Sequence, residues 1–216
     1  MRVRVMRQVH FSTADQRSID LVFFVNGIPV ATVELKTDFT QSLDEAINQY
    51  KKDRSPQTNG RPEPLLSFGH RALVHFAVSN DLAAMTTQLE GDKTHFLPFN
   101  TGDDGGAGNP PGADGRSSTA YLWERVWEKH AWLMIIGRLM IVETKEKWDV
   151  ANGTSVRRTS MLFPRFHQWE AVTNIVAAVT EEGVGQRYLI EHSAGSGKTN
   201  TIAWTAHRLA RLHVDD

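Results

Sequence analysis

The chain has 216 residues, 40% of them hydrophobic, and a formal net charge of −1. That length suits one large or two small domains with enough apolar material for a core, and the near-neutral balance excludes a global basic field announcing nucleic acid. The absence of cysteine excludes a disulfide framework, a thiolate zinc site and a cysteine nucleophile, and the absence of a long apolar run or leader pattern points to the cytoplasm, with no membrane partner.

In chain order, the first signals are charged. Arg2, Arg4 and Arg7 crowd the start, and Lys51, Lys52 and Arg54 sit together; both groups read as solvated surface. Two β-rich runs, Ser18 to Val25 and Pro29 to Lys36, flank Asn26-Gly27, a strong hairpin turn signal. Leu43 to Lys52 reads as a helix, and Leu73 to Ser79 and Met85 to Leu89 as further strands. Residues 98–118 carry turn residues without apolar period and read as a long surface loop. Helices resume at Thr119 to Lys129 and Ala131 to Met140, with Leu122, Trp123 and Trp127 as packing residues. A polar link, about Thr144 to Ser160, follows. Pro164 suits the first turn of a helix reaching about Thr180. A short apolar run, Tyr188-Leu189-Ile190, and a helix from Thr201 to Leu212 close the chain. The expected fold class is α/β: residues 1–142 as one domain, 143–160 as linker and 161–216 as the start of a second.

The octapeptide His192-Ser193-Ala194-Gly195-Ser196-Gly197-Lys198-Thr199 lies between that apolar run and the last helix. Strand, glycine-rich turn, Lys-Thr and helix form the setting of a phosphate-binding loop. Gly195 and Gly197 let backbone N–H groups turn inward, Lys198 can reach β- and γ-phosphates, and the Thr199 hydroxyl can ligate Mg²⁺. His192 stands where the general pattern has its first glycine. The alternative is a glycine-rich turn that merely links a strand to a helix. An ATPase also needs an acidic strand to hold Mg²⁺ and position water. None follows Thr199, and Leu43-Asp44-Glu45-Ala46 lies upstream and reads as helix. A truncated motor domain, or one continued elsewhere, is therefore expected.

The hairpin carries a second constellation. Glu34 and Lys36 alternate onto one face of their strand. If the hairpin folds about Gly27, residues whose numbers sum to 54 lie opposite, so Asp20 faces Glu34. Paired carboxylates can hold Mg²⁺ through oxygen, and a lysine beside them can orient water or stabilise transition-state charge. The alternative is a surface salt-bridge cluster. Val22, Phe23, Phe24, Val30 and Val33 are apolar on both faces and favour buried strands, where charges need a reason.

Asp20 followed by Glu34-Leu35-Lys36 resembles the PD-(D/E)xK nuclease signature. The run Asn26 to Lys36 is similar to the nuclease core of type I restriction enzyme motor subunits. The similarity continues through Glu45 to Tyr50, Leu73 to Val78, Phe96 to Asn100, Tyr121 to Glu124 and His192 to Thr199. It implies a restriction-endonuclease-like α/β domain, incomplete at its N-terminus, followed by an incomplete RecA-like P-loop lobe. It implies Mg²⁺ and ATP as cofactors, and double-stranded DNA, a methyltransferase subunit and a specificity subunit as partners. Carried over, Asp20 and Glu34 match metal carboxylates, Lys36 the catalytic lysine and Gln49 the glutamine of the next motif. Some members have a tyrosine four positions beyond that glutamine; here Asp53 stands there and Tyr50 is adjacent, so the role of Tyr50 is open. Gln168 resembles the glutamine that reads adenine, and Ser193 to Thr199 the nucleotide loop. Two further readings stay open: a catalytically silent DNA- or subunit-binding module, and an unrelated P-loop protein with an accidental trio. Two structural units without a shared active site are expected.

Overall fold

The structure, a computed structural model, describes residues 1–37, 42–149 and 152–212. Its strands are β1 (Val3–His10), β2 (Ser18–Val25), β3 (Ile28–Leu35), β4 (Gln57–Thr58), β5 (Arg61–Pro62), β6 (Val74–Val78), β7 (Ala83–Thr86), β8 (Leu97–Pro98), β9 (Ile141–Asp149) and β10 (Thr154–Leu162). Its α-helices are α1 (Leu43–Lys52), α2 (Lys129–Met134), α3 (Phe166–Glu182) and α4 (Lys198–Leu209). A six-stranded mixed sheet runs in the order β1-β2-β3-β6-β7-β8. Among the described residues of this sheet only the β3–β6 pair is parallel, and the long connection through α1 makes that pairing possible.

Asn26 (φ 50°) and Gly27 (φ 86°) make the left-handed pair that a two-residue hairpin loop demands. Next to the turn, paired residues sum to 53, as in Val25 with Ile28. A bulge at Phe23/Phe24 then moves the register, so Phe23 meets Ala31 and Leu21 meets Val33, pairs summing to 54. The register expected from the sequence is thus reached as far as Leu21 with Val33, and the bulge produces it. Without that extra residue Glu34 would point to the other face.

Both faces of the central strands are covered. Val22, Ala77 and Ile19 pack under α1 with Ala46 and Tyr50. Leu21, Phe23, Val33 and Phe76 pack on the other face against Trp132 and Ile135. That second core continues through Phe99 and Phe163 to Phe166, Trp169 and Val172 of α3 and Trp204 of α4. Edge-on ring pairs link it, including Phe76–Phe163 at 5.8 Å and Phe99–Phe166 at 6.0 Å. A continuous core therefore runs past the boundary expected at 143–160.

Several expected elements differ. The polar link from Thr144 to Ser160 is largely the β9–β10 hairpin, paired from Ile141 with Leu162 to Asp149 with Thr154. Most of β10 is exposed, so no apolar alternation marked it as strand. The strand expected at Met85 to Leu89 is the earlier β7. The helices expected at Thr119 to Lys129 and Ala131 to Met140 are a π-type turn at Leu122–Val126, α2, and a second π-type turn at Ile135–Leu139. Leu122 and Trp127 are buried, and Trp123, 43% exposed, packs its ring edge-on against Trp127 at 4.5 Å. Pro164 lies outside α3, whose N-cap is Arg165. Tyr188 to Ile190 forms no strand: no neighbour offers a ladder, and Leu189 is 93% exposed. α4 begins at Lys198, three residues before the expected start.

Candidate active site

The bulged hairpin sets the geometry. Asp20, on β2, accepts Gln8 Nε2 on Oδ1 at 3.0 Å and the Leu35 amide on Oδ2 at 2.8 Å. Gln8 has a left-handed φ of 51° between the pairs Arg7–Leu21 and Val9–Ile19, a strained residue whose side chain touches the site. Glu34 is fully buried. Its Oε1 accepts Arg54 Nε at 2.6 Å, while its Oε2 has no hydrogen-bond partner. Lys36, half-buried, leaves β3 with its amide donating to Val78 O at 2.8 Å. Gln49, on the α1 face turned to the sheet, shares a shallow groove of about 350 Å³ with Lys36, Glu45 and Asn48. Its Oε1 is buried and also lacks a donor. The structure thus sets Asp20 beside Glu34, and Lys36 beside Gln49 in the groove next to them. A wider cleft, about 790 Å³, lies elsewhere, bordered by Phe11, Phe24 and Arg61.

Arg54 corrects the sequence reading. It is not solvated surface with Lys51 and Lys52 but 5% exposed and paired with Glu34. Its neighbours in sequence gave no sign of this, because the partner lies 20 positions away. Tyr50 is equally hidden. Its hydroxyl lies 2.8 Å from Thr32 Oγ1, which lies 2.7 Å from His75 Nδ1. Tyr50 therefore closes a buried polar chain beneath the carboxylates, and burial holds its phenol well above the usual range.

Burial dominates the electrostatics. Desolvation pushes the Glu34 carboxyl up to about 7, Arg54 opposes that, and Asp20 adds to it. Desolvation pushes His75 down to about 3. The two act oppositely on stability. Folded Glu34 holds its proton above the unfolded value of 4.5, so stability falls as pH rises from 4.5 to about 7. Unfolded His75 takes a proton below 6.5 that the folded ring refuses until about 3, so stability falls as pH drops through that window. Glu34→Gln removes the first effect and leaves the second. Unfolding free energies from urea titrations should therefore fall more steeply from about pH 7 to about pH 5 for Glu34→Gln than for wild type, by up to about 1.4 kcal/mol per pH unit. Parallel pH profiles would contradict the burial of an ionisable Glu34.

At the other end of the chain, Lys198 Nζ curls back to donate to the carbonyls of Ser193, at 2.8 Å, and His192. Gly197, at φ 81°, caps α4, and Gly195 has φ 74°. Lys198 and Thr199 are exposed, while Ser196 is buried with its hydroxyl unpaired. Gln168 is 4% exposed and spent on this loop: Nε2 donates to Ser196 O and Gly197 O, and Oε1 accepts the Arg165 amide. Reading adenine, the role implied by resemblance, would require it to release those bonds. A cleft of about 500 Å³ separates the loop from Asn100 to Gly108. The loop and the carboxylates lie on opposite sides of the sheet.

Residues 2–94, which carry Asp20, Glu34, Lys36, Gln49 and Arg54, match the family described as type I restriction enzyme R protein N terminus. Over these residues the chain is similar to the N terminus of type I restriction enzyme R proteins. The wider chain is 25% identical over 202 residues, 90% of its length, to the type I restriction enzyme HindI endonuclease subunit of Haemophilus influenzae. It is 23% identical over 205 residues, 92% of its length, to a Methanocaldococcus jannaschii protein named "Putative type I restriction enzyme MjaVIIIP endonuclease subunit". It spans 17% of the length of each. The mixed α/β architecture agrees with a nuclease-like domain in such an R protein. No helix among the described residues is long and apolar enough to cross a membrane.

Proposed function

We propose that this R-protein region is a Mg²⁺-dependent nuclease that cuts double-stranded DNA at Asp20, Glu34 and Lys36. Glu34 carries the reading. A fully buried carboxylate keeps one oxygen without any donor, beside a second carboxylate, inside the family-matched segment. Leaving such an atom unpaired costs free energy that a bound ligand would recover. Mg²⁺ suits it, being a hard cation that takes oxygen ligands and keeps several waters. Asp20 and Glu34 would hold the ion. When bound, it supplies Lewis acidity at the phosphodiester and eases deprotonation of water. Lys36, with no counter-ion among the described residues, offers its ammonium to the charge developing on the phosphate. Gln49, in the same groove, orients water or Lys36 through its free amide oxygen.

The loop from Ser193 to Thr199 we assign to ATP, with Lys198 leaving its own carbonyls for the β- and γ-phosphates and Thr199 ligating Mg²⁺. Gln168 supports the loop, and a RecA-like lobe would complete that site. Methyltransferase and specificity subunits and a cytoplasmic setting complete the proposal, since the relatives are named as endonuclease subunits of type I restriction enzymes.

One observation favours a silent DNA- or subunit-binding region instead: among the described residues, no three His, Asp or Glu side chains converge as a metal site. Plasmid nicking separates the two. The nuclease reading expects nicking by the purified chain that needs Mg²⁺ or Mn²⁺ and disappears in Glu34→Ala. DNA binding without metal-dependent nicking would favour the silent reading.

A further inference from the structure

Arg54 is the part of this site that neither the trio nor the family signature uses. It follows the end of α1, where its amide donates to Gln49 O at 3.1 Å. Its guanidinium is held on three sides. Nε donates to Glu34 Oε1 at 2.6 Å, Nη2 donates to Ser18 O at 2.8 Å, and the group lies 5.5 Å from the Phe11 ring centroid. Ser18 opens β2, two residues before Asp20. One side chain therefore ties the end of α1 to both strands that carry the carboxylates, while Glu34 Oε2 stays free.

We propose that Arg54 is a positioning residue: it fixes Glu34 through Oε1 and so presents Oε2 as the one Glu34 oxygen available to a divalent cation. The inference rests on the nuclease reading of the site. A carboxylate held by nothing would rotate freely about its last bond and offer either oxygen. A guanidinium locked by a backbone carbonyl and an aromatic ring removes that freedom, because its donors are set in a rigid fork. Lysine, a flexible point charge, keeps the cation but cannot hold Glu34 and Ser18 O in the same geometry. Partners that orient metal ligands typically change metal affinity by about 10–100-fold when altered.

The test is Mn²⁺ binding to the intact chain by electron paramagnetic resonance, beside nicking, for wild type, Glu34→Gln and Arg54→Lys. Near-ultraviolet circular dichroism reports the fold. Glu34→Gln should abolish binding. Arg54→Lys should keep the fold, weaken Mn²⁺ binding roughly 10–100-fold, and recover most of the nicking rate at saturating Mn²⁺. A merely structural residue would not move the metal midpoint while sparing the plateau. A folded Arg54→Lys that binds Mn²⁺ within about twofold of wild type overturns the inference and leaves the nuclease reading standing. Absence of Glu34-dependent Mn²⁺ binding in wild type overturns both. A second measurement needs no variant at Arg54: the Arg54 Nε–H resonance of wild type should persist through a Mg²⁺ titration. Its loss as the site fills would show displacement, and would overturn the proposal.

Discussion

Glu34→Ala and Lys36→Ala should each lower DNA cleavage by roughly 10²–10³ or more, as expected when several kcal/mol of transition-state stabilisation are removed. The two substitutions differ in what else they disturb. Lys36 is half-buried and engages its neighbours through its backbone, so its truncation leaves the core unchanged. Glu34 is fully buried and is the counter-ion of Arg54, so alanine strands a desolvated guanidinium. Breaking a buried pair from one side costs about 3–5 kcal/mol. Glu34→Gln is the cleaner variant, because an amide oxygen can still accept from Arg54 while the charge is gone. Loss of cleavage in Glu34→Gln with an intact cooperative unfolding transition is the decisive outcome. Cutting at wild-type rates by either Glu34 variant would sink the site. The same carboxyl sets a pH dependence. Its proton leaves near pH 7 in the metal-free fold, and only the ionised form is a good cation ligand. Activity at limiting metal should therefore rise with pH through neutrality, and excess metal should shift the rise to lower pH.

The parts of this fold legible in the sequence are those fixed by local chemistry. Asn26-Gly27 can make only a few turns, and β2 and α1 run over the expected residues because apolar alternation and helical spacing define them. Lys36 and Glu34 share a face by strand geometry alone. What stayed hidden depends on contacts distant in sequence. The bulge at Phe23/Phe24 has no local signature, yet it sets the register in which Leu21 meets Val33. Arg54 reads as one more surface cation until α1 lays it against β3. The β9–β10 ribbon is exposed along much of its length and so lacks the alternation that marks half-buried strands. Conversely, Tyr188-Leu189-Ile190 has a strand's composition but no neighbour to pair with, and composition cannot supply one.

Lys198→Ala should reduce ATP hydrolysis and DNA translocation at least about a hundredfold in an assembled enzyme carrying this chain, because the β- and γ-phosphates lose their cation. The fold should survive, since exposed Lys198 bonds only to carbonyls of its own loop. The chain alone should bind ATP too weakly to matter: Tyr188 to Ile190 forms no strand, so the segment entering the loop is not fixed before ligand arrives. Micromolar affinity by calorimetry would contradict this. The relation between the two sites follows from the sheet. Asp20 and Glu34 lie on the α1 side, and α3 and α4, which hold the loop, pack on the other. A charge removed at Glu34 is therefore separated from the loop by the central strands and the aromatic core. Glu34→Gln should keep ATP turnover and translocation while losing cleavage. On the proposed mechanism Lys198→Ala should lose all three, since metal ligation at Asp20 and Glu34 would need no nucleotide but delivery of DNA would. ATP turnover, DNA displacement and cleavage measured side by side for both variants decide the point. If Glu34→Gln stopped ATP turnover as completely as Lys198→Ala, the shared core would be coupling the sites, and two separable chemistries would be the wrong description.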